Sequence, residues 1–69
     1  MIRKPVVSSH IRSVGYDEKE RRLEVEFSNG SVYSYHNVGA DQHHGLMNAA
    51  SVGSYFVAHV KHKHQHTKH

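Results

Sequence analysis

The chain has no cysteine, no tryptophan and a single proline, and it carries no acidic residue before Asp17 or after Asp41. Without cysteine, disulfide staples and thiol chemistry are excluded, and a cytoplasmic setting is expected. No apolar run approaches the ~18 residues of a membrane span, and the first residues show no signal-peptide h-region, so no membrane association is expected. Hydrophobic residues make up only 36% of 69. A chain this short buries only about 60% of its unfolded surface. One small domain is expected, as a monomer or as a weak homodimer that completes its core.

The common catalytic signatures are also missing. There is no P-loop, no dinucleotide fingerprint and no pair of catalytic carboxylates. Ser8, Ser9 and His10 invite a nucleophile reading. Neighbours in extended chain point to opposite faces, however, so Ser9 and His10 do not pair as nucleophile and base. His43 and His44 diverge by about 100° on a helix and make no metal motif. Neither an enzyme nor a cofactor is expected.

What is present is a hairpin. Leu23, Val25 and Phe27 alternate with charged residues, Tyr33 and Tyr35 alternate with small ones, and Asn29-Gly30 lies between the runs. Asn-Gly between alternating hydrophobics is the strongest short-range hairpin signal. Two registers compete. A two-residue loop puts the tyrosines on the face of Glu24 and Glu26. A three-residue loop, Ser28-Asn29-Gly30 with Gly30 left-handed, pairs Val25 with Tyr33 and Leu23 with Tyr35. Only the second separates apolar from polar faces, so patterning favours it. Both tyrosine rings are then expected to pack against helices rather than serve as a base-stacking platform.

A strand is expected before the hairpin, from Ile11 to Tyr16, with a bulge near Arg12-Ser13 because Ile11 has the opposite parity to Val14 and Tyr16. Asp17 to Arg21 reads as a turn. The hairpin strands are Arg22 to Phe27 and Val32 to Asn37. Helical spacing follows in His43, Leu46, Met47 and Ala50, with Asp41 in the first turn. Gly45 weakens that helix by ~1 kcal/mol relative to Ala. Ser51 and Gly53 break it, and a second short helix carries Val52, Tyr55, Phe56, His59 and Val60 on one stripe. The expected fold is α+β: a three-stranded antiparallel β-meander with two short helices packed on one face, occupying residues 1–60. Residues 61–69 contain no apolar side chain, and a disordered His/Lys-rich tail is expected there.

The hairpin and its flanks resemble the KTSC domain. The residues that carry the resemblance are Ser8-Ser9, Ile11, Val14-Gly15-Tyr16-Asp17, the hairpin, Val38, Leu46, Ala49 to Ser51 and Gly53-Ser54-Tyr55-Phe56. They run from about Val6 to Val60. That family takes its name from the C-terminus of some lysyl-tRNA synthetases, and it also occurs as small stand-alone proteins of bacteria and phages. The resemblance implies RNA binding and implies no catalytic residues. Three positions depart from the family pattern: Gly39 stands where Pro is usual, Val57 where Asn is usual, and His43 where a larger apolar residue is usual.

Charge is segregated. Arg3, Lys4 and Arg12 precede the first acid, and Lys61, Lys63 and Lys68 follow the last. If the termini meet, these six would form one phosphate-binding patch, and four of the nine histidines would add charge near pH 6. The expected function is a non-enzymatic binding module with RNA as first partner. A protein-interaction module, as an accessory domain or a phage-encoded effector, is the alternative. A metal-binding tail through His62, His64 and His66 comes third, since a mobile tail lacks the fixed ligands and supporting shell of a built site.

Overall fold

Gly30 sets the register of the central hairpin. In the computed structural model, which describes residues 2–69, its φ is 91°, a region glycine enters without steric cost. The Gly30 N–H donates to the Phe27 carbonyl at 2.9 Å, and the Phe27 N–H donates to the Ser31 carbonyl at 2.8 Å. This is the three-residue loop. Strands β3 (Arg22–Phe27) and β4 (Val32–Tyr35) pair Val25 with Tyr33 and Leu23 with Tyr35. β2 (Ile11–Asp17) pairs antiparallel with β3, and its register shifts between Ile11 and Ser13. That shift is the bulge needed to bring Ile11 onto the face of Val14. The β2–β3 turn is closed by Asp17, whose Oδ1 accepts the Lys19 and Glu20 N–H groups at 3.1 and 3.2 Å.

Among the described residues the sheet has five strands, not three. β1 (Lys4–Pro5) pairs with β2, and β5 (His66–Lys68) pairs with β4, giving the order β1-β2-β3-β4-β5. The segment expected as a disordered tail therefore forms an edge strand. Its side chains are exposed, so apolar burial does not hold it. The backbone does: His36 N–H donates to the Gln65 carbonyl at 2.9 Å, and His69 N–H donates to the Val32 carbonyl at 2.8 Å. His64 Nδ1–H donates to the His36 carbonyl, also at 2.9 Å. An open β4 edge offers unpaired backbone groups to whatever chain is near, and here the following segment takes them. β4 itself ends at Tyr35, before the expected Asn37, which turns the chain with a φ of 58°.

α1 (Ala40–Met47) begins one residue before Asp41 and stops at Asn48, leaving Ala50 exposed rather than on the buried stripe. Gly39 precedes it. Its N–H donates to Gln42 Oε1 at 3.2 Å, a bond that proline at this position would forfeit. α2 (Val52–Phe56) is capped by Ser51, whose hydroxyl accepts the Ser54 N–H at 3.3 Å. The helix then widens into a π-helical turn, Val57–Lys61. Val52, Phe56 and Val60 are buried together with Leu23, Val25 and Leu46, so both helices pack on one face of the sheet. Phe56 meets the Tyr35 ring edge-on at 5.1 Å.

Gly45 is a point of close approach. A Cβ there would lie 2.8 Å from Tyr55 Cζ and nearer still to its hydroxyl. Alanine gains ~1 kcal/mol of helix propensity, but overpacking costs about 1–3 kcal/mol. Gly45→Ala is therefore expected to lower stability in a urea melt. The same change in a Tyr55→Leu background is expected to raise it. Stabilisation by Gly45→Ala alone would show that this contact does not constrain α1.

Candidate functional site

The outer face of the sheet is polar. Arg3 Nε lies 3.4 Å from Glu24 Oε1, and Arg12 Nη1 lies 3.4 Å from Glu26 Oε2. The Ser13 hydroxyl donates to Glu26 Oε1 at 2.9 Å. Two of the six expected phosphate ligands thus face carboxylates. Lys4 pairs across from Val14, which places it on the helix-covered face at the β1 edge. It lines a hollow there with Glu18, His43 and Met47. Lys61 and Lys68 lie at the opposite side of the sheet, Lys61 at the opening beside Tyr33 and His66, and Lys68 in β5. The six cations do not form one face.

His43 stacks on Tyr16 with ring centroids 4.5 Å apart and planes within 10°, and the Tyr16 hydroxyl donates to the Val38 carbonyl at 2.7 Å. Burial, then neighbouring His44, then Lys4 hold the His43 imidazole below its ordinary value of 6.5. The unfolded chain therefore takes up this proton first as pH falls. The contribution to stability is complete above 6.5 and is lost as pH falls through the lower folded-state value. His43→Phe keeps the stacked ring, and it is expected to flatten the fall of Tm between pH 7 and 5 relative to wild type. Parallel Tm profiles would remove His43 from the account.

The helix-covered face opens beside β4. Phe27, Tyr33, Tyr35 and Phe56 line a cleft of about 630 Å³. Phe27 and Tyr33 meet edge-on at 5.5 Å, and Tyr33 and Tyr35 lie nearly parallel at 6.4 Å. Tyr35 is only 3% exposed, whereas Phe27 and Tyr33 are half-buried. The expectation that both tyrosines are covered thus holds for Tyr35, which Phe56 packs against, and fails in part for Tyr33, whose ring meets Phe27, Tyr35 and His66 instead of Phe56. Lys61, His62, His66 and His10 rim the cleft. The Lys68 ammonium stands 6.0 Å over the Tyr33 ring, and His66 lies 5.4 Å from both tyrosine rings.

Sequence reasoning did not find this cleft. Its rings are scattered over β3, β4 and α2, and its rim comes from a segment expected to be disordered. The tail imidazoles do not converge. His62 and His66 reach the cleft, while His64 turns to the His36 carbonyl. Among the described residues, no three His, Asp or Glu side chains come together as metal ligands. Among the described residues, no helix is long and apolar enough to cross a membrane. Ser8 serves the backbone, its hydroxyl accepting the His10 and Ile11 N–H groups at 3.3 and 3.4 Å.

Fold and cleft define a small α+β domain, an antiparallel sheet with two helices on one face and a cation-rimmed opening at its β4–β5 side. The KTSC domain family model matches residues 7–64, and the chain belongs to that family. An uncharacterised protein of Stutzerimonas stutzeri is 43% identical over 56 residues, which is 81% of this chain and 79% of that one. A lysine–tRNA ligase of Nostoc punctiforme is 38% identical over 55 residues, 80% of this chain but only 10% of the ligase. The crystal structure of a KTSC domain protein from Yersinia pestis superposes with a TM-score of 0.96 at 38% identity, covering 99% of this chain and 96% of that one.

Proposed function

We propose that this domain is a non-enzymatic, cytoplasmic nucleic-acid-binding module, with RNA as its partner. The observation that carries the reading is the gathering of Lys61, Lys68, His62 and His66 beside half-exposed aromatic rings. Cations supply affinity for phosphate through counterion release, and aromatic rings offer unpaired bases a stacking surface. The similarity to a segment of a lysine–tRNA ligase supports the same partner class. Arg3 and Arg12 leave the proposed interface, because Glu24 and Glu26 already engage them.

The test is a single-stranded RNA titration across a salt series. Replacing Lys61, Lys63 and Lys68 by Gln is expected to weaken binding and to flatten the slope of log K against log salt by about two units, near 0.7 for each lost phosphate contact. Substitution is preferable to deleting residues 61–69, since deletion would also strip β5 from the sheet. An unchanged slope would remove these lysines from the interface. A protein partner is the second reading, favoured by Val7 and Val57, which are 99% and 49% exposed beside α2.

A further inference from the structure

The distribution of acids sharpens the ligand. Glu24 and Glu26 lie on the outer face, Asp17, Glu18 and Glu20 at the β2–β3 turn, and Asp41 at the start of α1. None of the six lines the aromatic cleft, whereas Lys61, His62, His66 and His10 do. The hollow around His43 contains Glu18 as well as Lys4, and the one between Val7 and Ala58 contains no Lys, Arg, Asp or Glu. Only the cleft beside β4, among these three, combines open aromatic surface with cations and no carboxylate.

We propose that this cleft is a base pocket, holding one unpaired nucleobase on the exposed surface of Phe27 and Tyr33, with the adjoining phosphate held by Lys61 and Lys68. This rests on the nucleic-acid reading above and adds a contact that phosphate binding alone does not require. Its size lies within the usual 300–1,000 Å³ of small-molecule sites. The π-helical turn brings its last residue, Lys61, to the mouth, and such turns recur at functional sites. Lys68 already stands over the Tyr33 ring, so a base sliding onto that ring carries its phosphate towards the ammonium. The hairpin end adds a polar edge. Asn29 Oδ1 accepts the Ser31 N–H at 2.9 Å, which leaves the Asn29 amide N–H₂ as a donor for a base carbonyl. A planar base with a phosphate is the shared chemistry of a strand and of a free nucleotide, and the strand is favoured because the Lys68 ammonium over Tyr33 adds, outside the cleft's own lining, a second cation to Lys61 within it.

The experiment compares three probes on the full chain: a decamer of oligouridylate, its abasic analogue of equal charge, and uridine monophosphate. The base-containing decamer is expected to bind between about fivefold and a hundredfold tighter than the abasic one, the range that stacking on an aromatic side chain supplies. Tyr33→Leu is expected to collapse that ratio towards one. Because Tyr33 is half-buried, wild-type aromatic NMR gives an independent readout. The Tyr33 and Phe27 ring signals are expected to shift with oligouridylate and not with the abasic strand. Equal affinities and unmoved ring signals would overturn the base pocket and leave phosphate binding standing. Binding of neither decamer at low salt would sink the nucleic-acid reading itself. Monophosphate binding as tight as the decamer would overturn the strand as occupant in favour of a free nucleotide.

Discussion

Truncation of the chain before Val52 is expected to abolish folding. The removed segment carries Val52, Phe56 and Val60, all buried in the core against Leu23, Val25 and Leu46. Full burial of such a side chain contributes about 1.5–3 kcal/mol. Three of them approach the whole stability of a small domain, about 5–15 kcal/mol at most sizes. Losing β5 at the same time uncovers the edge of β4. An amide NMR spectrum collapsed into the narrow random-coil range is the expected result. A truncated chain that keeps native dispersion would mean that the sheet and α1 form a self-sufficient core.

Tyr35→Ser is expected to cost roughly 3–5 kcal/mol, as for other buried aromatic side chains cut to small ones. Tyr35 is 3% exposed and packs edge-on against Phe56 at 5.1 Å. It also pairs across the strand with Leu23, which is fully buried. For a domain of this size, that loss leaves a large unfolded fraction at room temperature. Tyr35→Phe is the control. It keeps the ring in the core and removes only the hydroxyl, with an expected change within about 1 kcal/mol. Burial and then neighbouring Tyr33 already push the phenol above its usual value of 10, consistent with a ring held in apolar surroundings. Equal melting curves for wild type and Tyr35→Ser would contradict the packing described.

The parts of this fold legible in the sequence are those fixed by local rules. Alternation in β3 and β4, with Asn29-Gly30 between them, set a register that only one loop length satisfied. The parity of Ile11 against Val14 demanded a bulge. Asp41 marked the start of α1. The rest depended on contacts between distant segments. β5 has no apolar side chain, and a criterion of apolar burial therefore reads it as disordered. What orders it is the unpaired backbone of β4, which composition does not record. The π-helical turn Val57–Lys61 leaves no mark in the pattern, where periodicity alone shows a continuing helix. Gly45 read as a helix defect, whereas its partner Tyr55 gives it a packing reason. The placement of the expected binding residues was not legible for a related cause. Counting basic side chains at the two ends could not show that Arg3 and Arg12 would meet Glu24 and Glu26 across the sheet.

The most direct measurement is amide chemical-shift mapping of the uniformly ¹⁵N-labelled chain during titration with single-stranded RNA at low salt. Nucleic-acid binding at the β4–β5 side predicts shifts in Phe27, Tyr33, Val57, Lys61, His62, His66 and Lys68. It predicts none in Arg3, Arg12 or Glu24 on the outer face. Raising the salt concentration should reverse the shifts as phosphate contacts are screened. An unperturbed spectrum, or shifts confined to the outer face, would contradict the account.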